Sequence, residues 1–196
     1  MEIRLLLISF ASALLTACGA MHTVDGPGMI TSYGSTMEGR SASVRAITFP
    51  SGKSRKSDIR VTGGKKHNWR QSVGATEGIS GDTRGLPEWL DFEWQEPSYP
   101  GLEPEDFPSR EAYSKAVAEK YSKLTTKTQR VLISSRIPPE VVQEVTFSRS
   151  HIPKGQLLPE KMLWIFFIWT DDGIKFRWEM SCDKPCVEKE GGDEVN

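Results

Sequence analysis

The chain has 196 residues, of which 37% are hydrophobic and 26% charged, and a formal net charge of −1. That composition excludes a disordered polyelectrolyte, and the length suits one domain with a real core better than two. Three histidines, His22, His67 and His151, lie far apart without ligand spacing, so no metal centre is expected.

Leu5 to Leu15 (LLLISFASALL) is an apolar or small run of about eleven residues, the length of an export signal's apolar part and short of the roughly 20 that cross a bilayer. Arg4 precedes it and Leu15-Thr16-Ala17-Cys18 closes it. A conventional cleaved signal or a buried first helix would leave Cys18 incidental. Small residues directly before a cysteine favour a lipid-modified end instead, and the segment resembles the lipobox of bacterial lipoproteins. The resemblance implies that residues 1–17 are a removed signal peptide and that Cys18 carries the lipidation. It also implies a periplasmic protein, with Gly19 directing the anchor to the outer rather than the inner membrane. Several acyl chains, at ~0.8 kcal/mol per buried methylene, hold such a protein essentially permanently.

Residues 18–40 are rich in Gly, Ser and Thr without sustained apolar period and read as a flexible tether spanning ~25 Å. Residues 41–186 form one globular domain. Ser43 to Phe49 and Ser57 to Thr62 are expected strands, ended by Pro50 and by Gly63-Gly64. Asn68 to Arg84 reads as loop or weak strand around Trp69. In Glu88 to Gln95, Leu90, Phe92 and Trp94 alternate with Asp91, Glu93 and Gln95, which describes a half-buried strand. After the acidic loop from Glu96 to Pro108, Ser109 is the expected N-cap of a helix to about Leu124, with Tyr113, Ala116, Val117, Tyr121 and Leu124 as its apolar stripe. Gln129 to Ser134 is another strand, and Pro138-Pro139 opens a short helix from Glu140 to Val145. Met162 to Thr170, Asp171-Asp172-Gly173 and Ile174 to Met180 describe a hairpin whose first arm, apolar on both faces, belongs in the middle of a sheet. The fold class is therefore α+β, a largely antiparallel β-sheet with one main helix and a short second helix packed on it. Residues 187–196 read as a disordered acidic tail.

With Cys18 committed to lipid, Cys182-Asp183-Lys184-Pro185-Cys186 contains the remaining pair, read as a disulfide in an oxidising compartment. Two thiolates lack the further ligands of a zinc site, and the spacing is not that of a Cys-x-x-Cys redox pair. Gly78-Ile79-Ser80-Gly81-Asp82 lacks the second glycine of a nucleophile elbow, and Gly63-Gly64-Lys65-Lys66 lacks phosphate-loop spacing. No catalytic residue and no cofactor is expected.

Charge is segregated along the chain: Arg40 to Arg84 holds ten Lys or Arg against three acids, and Gly85 to Glu119 holds nine acids against two bases. Either the two stretches neutralise each other in the fold or one marks a partner surface. Nucleic acid is disfavoured by the compartment.

Gly85-Leu86-Pro87-Glu88-Trp89-Leu90-Asp91-Phe92-Glu93-Trp94, then Ile137-Pro138-Pro139-Glu140, and the hairpin ending Lys175-Phe176-Arg177-Trp178 resemble a proteobacterial lipoprotein family of unknown function. Some of its members look like immunity proteins of type VI secretion phospholipase effectors. The resemblance implies a protein, monomeric when unbound, that inhibits a lipase by occlusion. The segment containing Asp91, Glu93, Glu103, Glu105 and Asp106 is the expected contact surface, with a merely solvated loop as the plain alternative. The competing function is a constitutive envelope lipoprotein with a structural or assembly role.

Overall fold

A computed structural model describes residues 26–63, 70, 73–78, 85–98, 101–182 and 187–195. The leader, Cys18, His22, Lys65 and Lys66, His67, Trp69, Ser80 and Cys186 lie outside the described residues. In chain order the elements are β1 (Ile30–Ser35), β2 (Ser41–Thr48), β3 (Ser54–Lys56), β4 (Arg60–Thr62), β5 (Val73–Gly78), β6 (Trp89–Gln95), α1 (Arg110–Ser122), β7 (Lys127–Leu132), α2 (Pro139–Ser150), β8 (Lys161–Thr170), β9 (Gly173–Cys182) and β10 (Lys189–Gly192).

Two sheets are formed. One has the order β10-β9-β8-β1-β5, and the other runs β3-β2-β6-β7 with β4 also on β2. Every pairing is antiparallel except β1 with β8. The fold is α+β and mostly β-sheet, as the alternation of the strands requires.

The long β8–β9 hairpin is the spine. Leu163, Ile165, Phe167 and Trp169 face inward with their cross-strand partners Met180, Trp178, Phe176 and Ile174. Phe166 and Ile168, on the other face, are buried as well, so β8 is enclosed on both sides as its unbroken apolar run predicts. From the second sheet, Phe92 of β6 meets Phe167 with ring centroids 4.7 Å apart and Trp169 at 5.6 Å. Trp94 meets Trp169 edge-on at 6.3 Å. Such pairs add about 0.5–1.5 kcal/mol each beyond their area burial. Val141 and Val145 of α2 join the same core, and Ser148 near the helix end accepts from the Lys161 N–H at 2.9 Å, fixing α2 beside the start of β8.

The strand expected from Ser57 to Thr62 is only Arg60–Thr62, with β3 (Ser54–Lys56) before it, and β7 is shifted to Lys127–Leu132 from the expected Gln129 to Ser134; three larger differences concern the ends of the domain and of α2. Residues 18–40 do not form one continuous tether, because Ile30–Ser35 is β1, hydrogen-bonded between β8 and β5 and buried from Thr31 to Ser35. The small side chains of β1 lie next to the bulky ones of β8, so the strand carries no apolar period of its own. Residues 187–196 are not all a disordered tail: Lys189–Gly192 is the edge strand β10 on β9. Gly191 lets the Trp178 indole lie against its backbone, and Gly192 has φ 116°. Finally, α2 runs to Ser150 rather than Val145, because Ser148 and Arg149 at its end find partners in Lys161 and Gly26.

Candidate interaction surface

The end of β6 is held by Glu96. This carboxylate accepts from Arg40 (2.6 Å), from the Trp94 indole (3.0 Å) and from Lys127 (2.9 Å). Burial alone would raise its pKa, but the Lys127 and Trp94 hydrogen bonds and the charges of Lys127 and Arg40 outweigh that and lower it. The acidic loop thus leaves a fixed point. Arg40–Glu96 is also the direct ion pair between the basic and acidic stretches of the chain among the described residues. Most of the acidic stretch takes part in no ion pair among the described residues.

Of the five acidic residues singled out from sequence, Asp91 is engaged. Arg130 grips it with two hydrogen bonds of 2.8 and 2.7 Å while its guanidinium lies 3.6 Å from the Trp89 ring centroid. The Arg130 hydrogen bond lowers the Asp91 pKa against a small desolvation cost. Glu93 projects from the same outer face of β6 and is exposed. Glu103, Glu105 and Asp106 cluster on a separate feature, the short 3-10 turn Pro104–Asp106, and all three are exposed. None of these four takes part in an ion pair among the described residues. The structure therefore divides the predicted set into a tied strand residue, Asp91, an exposed one, Glu93, and a free acidic turn.

Phe107 closes that turn and meets Tyr113 of α1 edge-on at 5.7 Å. Ser109 caps α1 as expected, its hydroxyl accepting from the Ala112 N–H at 3.1 Å. The far end of α1 is pinned by Gln95, whose carboxamide donates to the Tyr121 and Leu124 carbonyls at 3.2 and 3.1 Å and accepts from Arg45 at 2.9 and 2.8 Å. The Arg45 guanidinium lies 4.5 Å from the Tyr121 ring centroid. Between α1 and the outer face of β2 and β6 runs a shallow groove lined by Tyr113, Val117 and Tyr121 opposite Ser43, Arg45 and Gln95. The helix stripe expected to lie on a sheet faces this groove instead: α1 has no fully buried side chain, and its stripe is half-buried.

An exposed carboxylate turn beside an aromatic-lined groove has the parts of a protein-binding patch: aromatic anchors and a charged rim that steers a basic partner. Among the described residues no group of three or more His, Cys, Asp or Glu side chains is disposed to hold a metal. His151 stacks on Phe147 with ring centroids 4.1 Å apart. Cys182 ends β9 and is disulfide-bonded. Sequence reasoning missed the exposed apolar side chains past α2, where Leu157-Leu158 between Gly155 and Pro159 was the available signal. No protein-family model, curated protein or solved structure matches this chain.

Proposed function

We propose that this protein is a lipid-anchored periplasmic lipoprotein that neutralises a protein partner by covering it, and that the partner is a phospholipase effector of a type VI secretion system. The observation that carries the binding part is the free acidic turn, Glu103, Glu105 and Asp106, set next to the Tyr113–Tyr121 groove on a helix capped by Ser109 and pinned to β6 at its far end by Gln95. A surface whose charges have no ion-pair partners among the described residues and whose aromatic side chains are half covered gains by association. The lipobox-like Leu15-Thr16-Ala17-Cys18 supports the anchor, and the motifs from Gly85 to Trp178 support the immunity role.

The test is inhibition of a candidate phospholipase by the full chain. Purified enzyme titrated with this protein should lose activity at equimolar ratio, and reversing the charge of Glu103, Glu105 and Asp106 should weaken the inhibition. An enzyme that neither binds nor slows at equimolar protein refutes the immunity role for that partner.

A further inference from the structure

Among the described residues, six large apolar side chains are exposed: Leu132, Phe147, Ile152, Leu157, Leu158 and Val187. Five of them gather at one end of the molecule. Phe147 is on the last turn of α2, and Ile152, Leu157 and Leu158 belong to the loop between α2 and β8. Val187 stands two residues ahead of Lys189, whose ammonium reaches Glu144 of α2 at 2.5 Å. Leu157 is 94% exposed, and Phe147, one face of which stacks on His151, is 65% exposed, so most of both side chains meets water.

The chain enters the domain at this same end. β1 runs parallel to β8 with Ile30 opposite Trp164, so the residues before Ile30 lie beside the start of β8, where α2 ends. Arg149 donates to the Gly26 carbonyl at 3.4 Å. Its guanidinium occupies the place of a side chain at Gly28, which has φ 62° and would collide with it if it carried a Cβ. The entry is thereby fastened to the last turn of α2. Cys18 is eight residues from Gly26 in the sequence, a reach of at most ~28 Å when fully extended.

We propose that this end is a docking face for a lipid surface, with Leu157 and Leu158 entering the acyl boundary and Phe147, Ile152 and Val187 lying around them. The proposal rests on the anchoring of Cys18 for its direction, since an anchor so close in sequence presents the apolar end of the domain to the bilayer. The charge at this end is mixed: Glu160, two residues after Leu158, and Glu188, next to Val187, are exposed and form no ion pair among the described residues, so the apolar side chains rather than the charge carry the docking. Glu144, the carboxylate of α2 at this end, is held by Lys161 at 2.7 Å and Lys189 at 2.5 Å, so its charge is compensated. Exposed Lys154 lies in the apolar loop itself and can extend its ammonium toward headgroups. A docked domain would hold α1 and the acidic turn in a fixed orientation above the membrane.

The experiment places an added indole at Leu157 or, as the remote comparison, at Leu132 of β7, ahead of α2. The full chain carrying Leu157→Trp or Leu132→Trp is reconstituted in vesicles of phosphatidylethanolamine and phosphatidylglycerol, with and without brominated acyl chains. Docking predicts roughly twofold quenching of the emission added by Leu157→Trp, as for an indole within the ~5–10 Å boundary layer, and little for Leu132→Trp. Absence of quenching at Leu157, or equal quenching at both positions, overturns the proposal. Fatty-acid labelling of Cys18 on the same samples separates the two readings. Label without quenching overturns docking alone, and quenching without label supports docking while removing the acyl anchor.

Discussion

Gln129 of β7 and Ile174 of β9 exchange two hydrogen bonds across the gap between the sheets: the carboxamide donates to the Ile174 carbonyl at 3.0 Å and accepts from its N–H at 2.8 Å. β10 covers the edge of β9 only from Arg177 to Met180, so a side chain of the opposite sheet serves Ile174 as the missing strand neighbour. Gly173, with φ 112°, lies under the same carboxamide, which would meet any Cβ there. Gln129→Ala leaves both backbone groups without partners and should cost about 1–3 kcal/mol in urea unfolding. Gln129→Glu keeps an acceptor for the N–H but turns a carboxylate toward the carbonyl, and should cost at least as much. An Ala variant as stable as the parent would show that the pair does not join the sheets.

Asp193 continues this edge and gives the protein an acid-sensitive seam. Its carboxylate accepts from the Phe176 N–H at 2.8 Å and from Arg136 at 2.6 Å. Burial would raise its pKa, but the Arg136 and Phe176 hydrogen bonds and the charges of Arg136 and Lys175 lower it below the ordinary 3.8. Glu144 is lowered from 4.5 to about 2, first by the Lys161 and then by the Lys189 hydrogen bond. Both folded-state values lie below the unfolded ones, so the stabilisation is complete above the unfolded pKa values. It is lost as pH falls from about 5 toward 2. Urea midpoints measured from pH 7 to pH 3 should fall, and Glu144→Gln with Asp193→Asn should flatten that slope. Asp193→Asn should cost about 1 kcal/mol at pH 7, a partly exposed group being screened by solvent. An unchanged slope in the double variant would assign the acid response to other carboxylates.

The readable strands were those with a pattern of their own: an unbroken apolar run for β8, enclosed on both faces, and alternation for strands that face water on one side. Leu90, Phe92 and Trp94 alternate with polar neighbours because the outer face of β6 is solvated, and Ile174, Phe176, Trp178 and Met180 do the same on β9. β1 was hidden for the opposite reason. Enclosed beside β8, it needs small side chains next to Phe166 and Ile168, and its Ser32 hydroxyl is satisfied by Thr76 at 3.2 Å, so Thr-Ser-Tyr-Gly-Ser mimics a linker. β10 was hidden because Gly191 and Gly192 are required by close approach and positive φ rather than by hydrophobicity. At the candidate surface, the carboxylates were legible as charges and α1 as a stripe. Their meeting through Phe107 and Tyr113 depends on how the loop folds back, which no local pattern encodes.

Tyr33 provides the direct test that residues 30–35 belong to the core. The ring is 2% exposed, stacks on Phe167 at 6.0 Å, and donates its hydroxyl to Glu77 at 3.2 Å. Burial, followed by the Glu77 charge and hydrogen bond, pushes the phenol pKa well above its ordinary value, so it remains a donor. Tyr33→Ala should cost about 3–5 kcal/mol as a cavity in the core. Tyr33→Phe, which removes only the hydroxyl, should cost about 0.5–1.5 kcal/mol. A residue in a solvated tether would change stability by less than ~0.5 kcal/mol in either variant, and thermal unfolding distinguishes the two cases.

The acidic turn should control how fast a partner arrives, and the groove how long it stays. Glu103, Glu105 and Asp106 are exposed and carry no ion pair among the described residues, so reversing all three to Lys should leave the stability within ~0.5 kcal/mol of the parent in urea unfolding. Against a basic phospholipase partner the same variant should associate roughly 10–100-fold more slowly at low ionic strength. The deficit should shrink at 1 M salt, where the Debye length is ~3 Å. Tyr113→Ala removes an aromatic wall of the groove and the ring contact with Phe107, and should raise the dissociation rate while leaving association nearly unchanged. Surface plasmon resonance at two salt concentrations reads both rates, with circular dichroism to confirm that α1 is intact. If charge reversal left association at the parent rate, steering would lie elsewhere on the domain. If Tyr113→Ala dissociated no faster, the groove would be a packing defect of α1 rather than an anchor site.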